Sequence, residues 1–498
     1  MSAKLDRRGF LKALGLGAAA GMAPLRLLRA APPARRPNFV IIFTDDQGYQ
    51  DVGCFGSPKI KTPNLDRMAA EGMKFTDFYS AAPVCTPSRA ALLTGCYPPR
   101  VGGLPVLFPR SNIGLNPKEK TIAALLRPAG YATACIGKWH LGHHKPFLPT
   151  SHGFDSYLGV PYSNDMSLAA NMSFAPDVRL DEGLTAEKLQ AGPGKGGRNK
   201  VPLLRDEQVI DYPVDQSQLT KRYTAAAVAF IKANRDRPFF LYLPHTMPHV
   251  PLFASKKFKG TSARGLYGDT IEEIDWCVGE ILKTLKAQGL DENTLVFFCS
   301  DNGPWLSKGA NGGCALPLRG GKFTTWEGGM REPTIMRWPG RIPAGKLCRQ
   351  VAGTIDMLPT IARLAGVKVP TDRIIDGKDI WPLMSGREGA TSPHEGYYYY
   401  RGARLEAVRQ GKWKLRLGGQ RTVKKTQTGP DGKKKRVNVK VAQPAQLYDL
   451  VADIGETTDV AAAHGDVVAR LTDLARKFDK DLKADARPPG RANAGKAT

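Results

Sequence analysis

Beyond its first thirty residues the 498-residue chain contains no run of eighteen apolar residues, the length a helix needs to cross a bilayer. No two cysteines form a Cys-x-x-Cys pair, and none joins histidines at a zinc spacing. Eight cysteines (54, 85, 96, 135, 277, 299, 314 and 348) are also too few to staple a chain of this length. Several, such as Cys135 and Cys299, sit in apolar runs and read as small buried hydrophobes. No collagen-like period lies behind the 53 glycines and 38 prolines, and no internal repeat stands out. Negative charge is scarce: 46 Asp+Glu face 72 Lys+Arg, a formal charge of +26 that favours anionic partners. No nucleic-acid motif accompanies that charge. What is present, 42% hydrophobic residues with 8% aromatic, suffices for a large core and excludes disorder throughout.

At the N-terminus, Asp6-Arg7-Arg8-Gly9-Phe10-Leu11-Lys12 precedes a Gly/Ala-rich apolar run from Ala13 to about Leu25. Residues 1–30 therefore resemble a twin-arginine export signal, with cleavage expected near Ala30 or Ala31. Losing them removes six basic residues and one acidic residue, leaving +21. The expected mature protein is exported, periplasmic or secreted, with no stable membrane insertion and no nucleic acid as partner.

Short, wholly apolar runs alternate with helix-like stretches. The expected strands are Asn38–Thr44, Ala132–Gly137, Phe239–Leu243, Leu295–Ser300 and Pro333–Trp338. Helical spacing covers Asn64–Glu71, Ser88–Thr94, Thr121–Arg127, Leu219–Asn234 and Thr270–Ala287. Strands without polar alternation are covered on both faces, which predicts an α/β layered fold around a mostly parallel sheet. Asp165–Pro213 lacks periodicity and reads as a long loop or insertion. Arg421–Lys440 carries eight basic residues and one acid around Pro430-Asp431-Gly432, a turn signal, and reads as a protruding basic hairpin or loop. The pattern turns β-rich from about Tyr397 and ends in a helix near Asp466–Leu482. A smaller C-terminal domain, residues 385–498, is expected behind a catalytic domain of residues 36–384.

Two apolar strands run directly into acidic groups, Asp45-Asp46 and Asp301-Asn302. Ligands of open α/β sheets gather beyond the carboxyl ends of strands. Either group alone also reads as turn or cap chemistry. Brought together, three carboxylates and an amide need a cation, and an all-oxygen set suits Ca²⁺ or Mg²⁺ rather than zinc. Next, Pro87 in Val84-Cys85-Thr86-Pro87-Ser88-Arg89 sits where a helix would begin. Cys85 then lies at a helix N-terminus, with Arg89 one turn on, facing the same side. Spacing alone leaves two readings, a reactive cysteine beside an anion-binding arginine or a buried structural cysteine.

Cys85-Thr86-Pro87-Ser88-Arg89 followed by Ala90-Ala91-Leu92-Leu93-Thr94-Gly95 resembles the signature of the type I sulfatases, in which the cysteine is oxidised to Cα-formylglycine. The resemblance runs from Asn38 to Gln446-Leu447-Tyr448-Asp449-Leu450 and points to the arylsulfatase A-like branch. It implies an alkaline-phosphatase-like three-layer sandwich with a smaller C-terminal α+β domain carrying a short antiparallel sheet. It also implies a divalent metal, usually Ca²⁺, on Asp45, Asp46, Asp301 and Asn302, touching residue 85. Gly137-Lys138-Trp139-His140 resembles a family segment that gives Lys138 and His140. Met247-Pro248-His249-Val250-Pro251 gives His249 in preference to His245, which is kept as a substrate contact. Leu318-Arg319-Gly320-Gly321-Lys322 gives Lys322, and Pro161-Tyr162-Ser163-Asn164-Asp165 gives Ser163. His143 and His144 read as surface or pocket-rim residues.

The implied reaction is hydrolysis of a sulfate ester on a carbohydrate or aryl group. Hydrated formylglycine attacks sulfur while Arg89, Lys138 and Lys322 neutralise the sulfate oxygens. His249 (or Lys322) protonates the departing alcohol, and His140 takes a proton from the second hydroxyl to expel sulfate. The implied partners are a sulfated glycan or aryl sulfate and, during synthesis, a formylglycine-generating or anaerobic maturase enzyme. The competing readings are a phosphodiesterase or phosphonate monoester hydrolase on the same scaffold, or a non-catalytic polyanion-binding protein with Cys85 unmodified.

Overall fold

Phe39-Val40-Ile41-Ile42-Phe43 is apolar at every position because both faces of its strand are covered. Phe39, Ile41 and Phe43 enter one core, and Val40 and Ile42 the other. The structure, a computed structural model, describes residues 35–170, 172–190, 197–428 and 434–492; the expected export signal lies outside them. From Pro37 onward the chain forms one unit. Its centre is an eleven-stranded sheet of β1 (Asn38–Thr44), β2 (Met73–Phe75), β3 (Ala132–Ile136), β4 (Ser156–Gly159), β5 (Ser173–Leu180), β6 (Leu203–Arg205), β7 (Gln208–Tyr212), β8 (Phe239–Pro244), β9 (Thr294–Ser300), β10 (Thr334–Arg337) and β11 (Lys346–Cys348). The spatial order is β11-β2-β10-β9-β1-β8-β3-β4-β6-β7-β5. The middle strands β9-β1-β8-β3-β4 are all parallel, and the antiparallel pairings lie to either side of them.

Helices Pro63–Ala70, Leu219–Ala233 and Leu266–Ala287 bury apolar stripes against one face; Leu65 and Met68, Tyr223 and Ile231, and Ile274, Val278 and Ile281 belong to that core. Helices Cys85–Thr94, Ile122–Leu126 and Met357–Leu364 cover the other through Leu92, Leu93, Ile122, Leu358 and Ile361. This is the three-layer, alkaline-phosphatase-like sandwich that the sequence implies. The five expected strands and five expected helices all form, with ends shifted by a few residues.

Asp165–Pro213 differs from expectation. It is no plain loop: β5, β6 and β7 extend the sheet at its outer edge. β5 is largely exposed, so its residues (Ser-Phe-Ala-Pro-Asp-Val-Arg-Leu) carry no continuous apolar run to announce a strand.

The C-terminal part carries a four-stranded antiparallel sheet: Tyr397–Arg401, Arg404–Gln410, Trp413–Arg416 and Gln446–Asp449. Helix Gly465–Ala484 contributes Leu471 and Ala475 to the same core. A buried charge cluster ties this sheet to the main body. Glu327 accepts hydrogen bonds from Tyr79 Oη at 2.6 Å and Tyr399 Oη at 2.9 Å, and pairs with Lys414 at 2.9 Å. Lys414 also lies 2.8 Å from Glu456. Burial opposes ionisation of Glu327, yet Lys414, Arg331 and Arg409 hold its carboxyl below the usual range.

Candidate active site

Parallel pairing of β1 with β9 sets Thr44 opposite Ser300, so the residues that follow emerge side by side. The Asp301 amide donates to the Thr44 carbonyl, and the Asp46 amide to Asp301 Oδ1 at 3.2 Å. Asn302 Nδ2 donates to Asp46 Oδ1 at 2.7 Å. Asp46 holds a left-handed backbone (φ 64°), strain of the kind that marks functional sites. Gly303 is required here, because a Cβ would stand 1.8 Å from the Gly328 carbonyl oxygen.

Three cations answer the three carboxylates. Arg89 donates from Nε and Nη2 to Asp301 Oδ2, at 2.9 and 2.7 Å, and from Nη1 to the Lys138 carbonyl. Lys138 Nζ pairs with Asp45, and Lys322 Nζ with Asp46 at 2.6 Å. Gly137 lets Lys138 approach: at φ 132° its Cβ would collide with the Pro244 carbonyl at 1.8 Å. Burial resists ionisation of Asp45, but Lys138 and its neighbours hold the carboxyl far below the usual range. Asp301 moves the other way, raised by burial and then by Asp45, against Arg89.

Cys85 is fully buried at the first position of its helix, two residues earlier than the helix start expected at Pro87. Proline in the first turn breaks no helical hydrogen bond, because those N–H groups have no intrahelical acceptor. Burial raises the Cys85 thiol pKa, opposed by Lys138 and Lys322.

His249 Nδ1 lies 2.6 Å from the Val250 carbonyl, which leaves Nε2 facing Asp46 at 3.6 Å. Ser163 Oγ is 3.4 Å from Lys138 Nζ and 3.3 Å from His249 Nδ1. His140, also left-handed (φ 58°), places Nε2 2.9 Å from the Leu107 carbonyl; Nδ1 is buried without a partner. Burial and Lys138 keep this ring neutral. His245 is buried with neither nitrogen hydrogen-bonded, and burial, then the Arg89 charge, lower its pKa to about 3. His143 is buried, with its ring tilted against His144 at 4.2 Å and packed against Tyr162, and it lines a cavity.

The donor set suits a hard divalent cation. Asp45 Oδ1 and Asn302 Oδ1 are buried and have no hydrogen-bond partner, beside the like-charged pair Asp45 and Asp301. Ligand atoms of Asp45, Asp46 and His249 lie within 4.8 Å of one another, which adds an imidazole to the expected oxygens. Sequence reasoning missed two neighbours. Trp305 lies under the Lys322 ammonium (4.5 Å to the ring centroid) and beside His249. Asn164 donates to the His249 and Pro251 carbonyls. Both stand within three residues of a named site residue, the one signal that could have found them.

Residues 37–367, which contain every one of these groups, match the family model described as Sulfatase. The chain belongs to the sulfatase family. Residues 392–494 match the C-terminal region of aryl-sulfatase. Human arylsulfatase A is 40% identical over 465 residues, covering 90% of this chain and 89% of that protein. N-acetylgalactosamine-6-sulfatase of Canis lupus familiaris is 42% identical over 425 residues, 81% of this chain and 74% of that one. Among solved structures, Ps i-CgsB in complex with k-i-k-neocarrahexaose is 32% identical with a TM-score of 0.72, covering 93% of this chain and 96% of the other.

Proposed function

We propose that this sulfatase removes sulfate from a sulfated carbohydrate or an aryl sulfate, using residue 85 as formylglycine. The observation that carries the reading is the buried ring of Arg89, Lys138 and Lys322 around paired strand-end carboxylates, at the N-terminus of the Cys85 helix. The names of the relatives, an arylsulfatase and a hexosamine sulfatase, support both substrate classes.

Asp45, Asp46, Asp301 and Asn302 would hold Ca²⁺ or Mg²⁺, which supplies positive charge beside residue 85. Formylglycine supplies, as its hydrate, a hydroxyl nucleophile for sulfur. Lys138 and Lys322 bind and neutralise the sulfate oxygens, with Ser163 as a neutral donor among them. Arg89 spends its guanidinium on Asp301 and on the Lys138 carbonyl. It therefore orients those two groups, where the sequence reading gave it direct contact with sulfate. His249, anchored through Nδ1, passes a proton from Nε2 to the departing alcohol oxygen. His140, neutral with Nδ1 free, accepts a proton from residue 85 as sulfate leaves. His245 borders Arg89 and acts by packing.

The finer reading places catalysis in residues 36–384 and a smaller domain in 385–498. It adds export through the twin-arginine segment and oxidation of Cys85 by a maturase. Among the described residues no helix is long and apolar enough to cross a membrane.

Intact mass and peptide mapping of residue 85 test the modification. With Cys85→Ser, serine attacks sulfur but has no second hydroxyl, so a stable sulfated enzyme is expected after one turnover. Multiple turnovers by that variant would overturn the mechanism. Faster cleavage of bis-p-nitrophenyl phosphate than of p-nitrophenyl sulfate would select the phosphodiesterase alternative.

A further inference from the structure

Outside the active site, positive charge is concentrated on a β-hairpin that the catalytic reading leaves unused. Strands Gly419–Thr428 and Lys434–Gln443 pair antiparallel, with register from Gly419↔Gln443 to Thr428↔Lys434. Cross-strand partners share a face and successive residues alternate. Val437, Val439 and Val441 share one face with Lys425 and Lys435. Arg436 and Lys440 lie on the other with Thr426 and Asn438, so both faces carry cations. Neither strand contains an acidic residue, so none of these cations is matched by an opposite charge across the strand. Lys425, Lys435, Arg436 and Lys440 are exposed. Uncompensated like charges on one hairpin repel one another, a cost that an anionic ligand relieves.

The base of the hairpin opens onto a cleft of about 100 Å³, lined by Arg404, Arg416, an Arg401–Glu406 ion pair (2.9 Å), Phe323, Thr324 and Trp326. Arg416 stacks 3.7 Å from the Trp326 ring centroid, and Arg404 reaches the Gln420 carbonyl where the hairpin begins. Phe323 follows Lys322 in the chain and meets Trp305 at 5.4 Å; Trp305 lies 5.6 Å from His249. Aromatic contacts therefore run from the proposed general acid to Phe323 on the wall of the arginine cleft.

We propose that this cleft and the cationic hairpin form a second binding site. It takes the flanking anionic groups of a linear sulfated polysaccharide while one sulfate ester occupies the active site. This rests on the sulfate-ester reading above. The composition of the hairpin selects that partner. Hydroxyl and amide side chains between the cations suit sulfates and sugar hydroxyls. Neither strand has an aromatic residue on which a base could stack. Nor does either strand carry the Trp, Phe or Leu that seats an amphipathic element in a membrane interface.

The test uses the full matured enzyme and a triple variant, Lys425→Gln, Arg436→Gln and Lys440→Gln. A second variant, Val437→Thr with Val439→Thr, controls for hairpin folding. The probes are dextran sulfate, uncharged dextran, duplex DNA and phosphatidylserine vesicles, with p-nitrophenyl sulfate as the small substrate. The triple variant is expected to bind dextran sulfate about tenfold or more weakly, with a shallower salt dependence. It keeps its kcat/KM on p-nitrophenyl sulfate within about twofold, and the valine variant keeps both. Unchanged dextran sulfate binding by the triple variant overturns the proposal. So does an equal loss in the valine variant, or wild-type preference for DNA or vesicles over dextran sulfate. Failure of wild type to cleave p-nitrophenyl sulfate would count against the catalytic reading, while the direct binding comparison would still decide this one.

Discussion

Lys414→Met removes one ammonium from the cluster that seats the C-terminal sheet on the catalytic body. Lys414 is fully buried and stands within 3 Å of both Glu327 and Glu456. Methionine keeps the bulk but leaves two carboxylates in a dry site with one counter-charge fewer. Breaking a buried pair from one side costs about 3–5 kcal/mol. At about 2.1 cal/mol/K per residue, roughly 460 folded residues have an unfolding entropy near 1 kcal/mol/K, so the thermal midpoint should fall by about 3–5 °C. Calorimetry at pH 7 reads this directly. Adding Glu456→Gln should recover part of the loss, since it removes one stranded charge. Activity should fall as well, because Glu327 ends the loop that presents Lys322. A midpoint within about 1 °C of wild type would refute the claim that this cluster bears on stability.

Two further perturbations follow from the buried groups. His152 is buried beside Trp139 with neither nitrogen hydrogen-bonded, and burial lowers its pKa from 6.5 to about 4. The unfolded chain binds the extra proton between those values, so stability is complete above pH 6.5 and drains as pH falls toward 4, by roughly 3 kcal/mol. His152→Leu should therefore show a shallower fall in thermal midpoint between pH 7 and pH 4.5; parallel curves would count against it. Chelation followed by dialysis should lower both p-nitrophenyl sulfate turnover and the thermal midpoint, with Ca²⁺ restoring both. Full activity in the chelated protein would remove the metal from the proposal.

The strands that end in Asp45-Asp46 and Asp301-Asn302 were legible because burial on both faces forces unbroken apolar runs, and the chemistry sits where those runs stop. The register that sets Thr44 against Ser300 was not legible, since it depends on pairing across more than 250 residues of chain. Edge strand β5 escaped notice for the opposite reason: solvent on its exposed sides admits polar residues, so periodicity fades; β6 and β7, mostly buried, are too short, at three and five residues, to show a period. Arg89 was legible as a residue of the site, but its commitment to Asp301 and the Lys138 carbonyl required coordinates. Trp305 and Asn164 carry no charge to draw attention, and they matter only through the rings and carbonyls beside them.

Every residue of the Cys85–Thr94 helix is buried, and residue 85 is only 2% accessible. An enzyme that alters this side chain must grip it as extended chain, before the sheet and helices close over it. Under the proposed modification, maturation is therefore a race between two clocks, the rate of modification and the rate of folding. On that proposal a molecule that folds first keeps its thiol and stays inactive, since only unfolding would expose it again, and the yield of working enzyme is set while the chain is still being made.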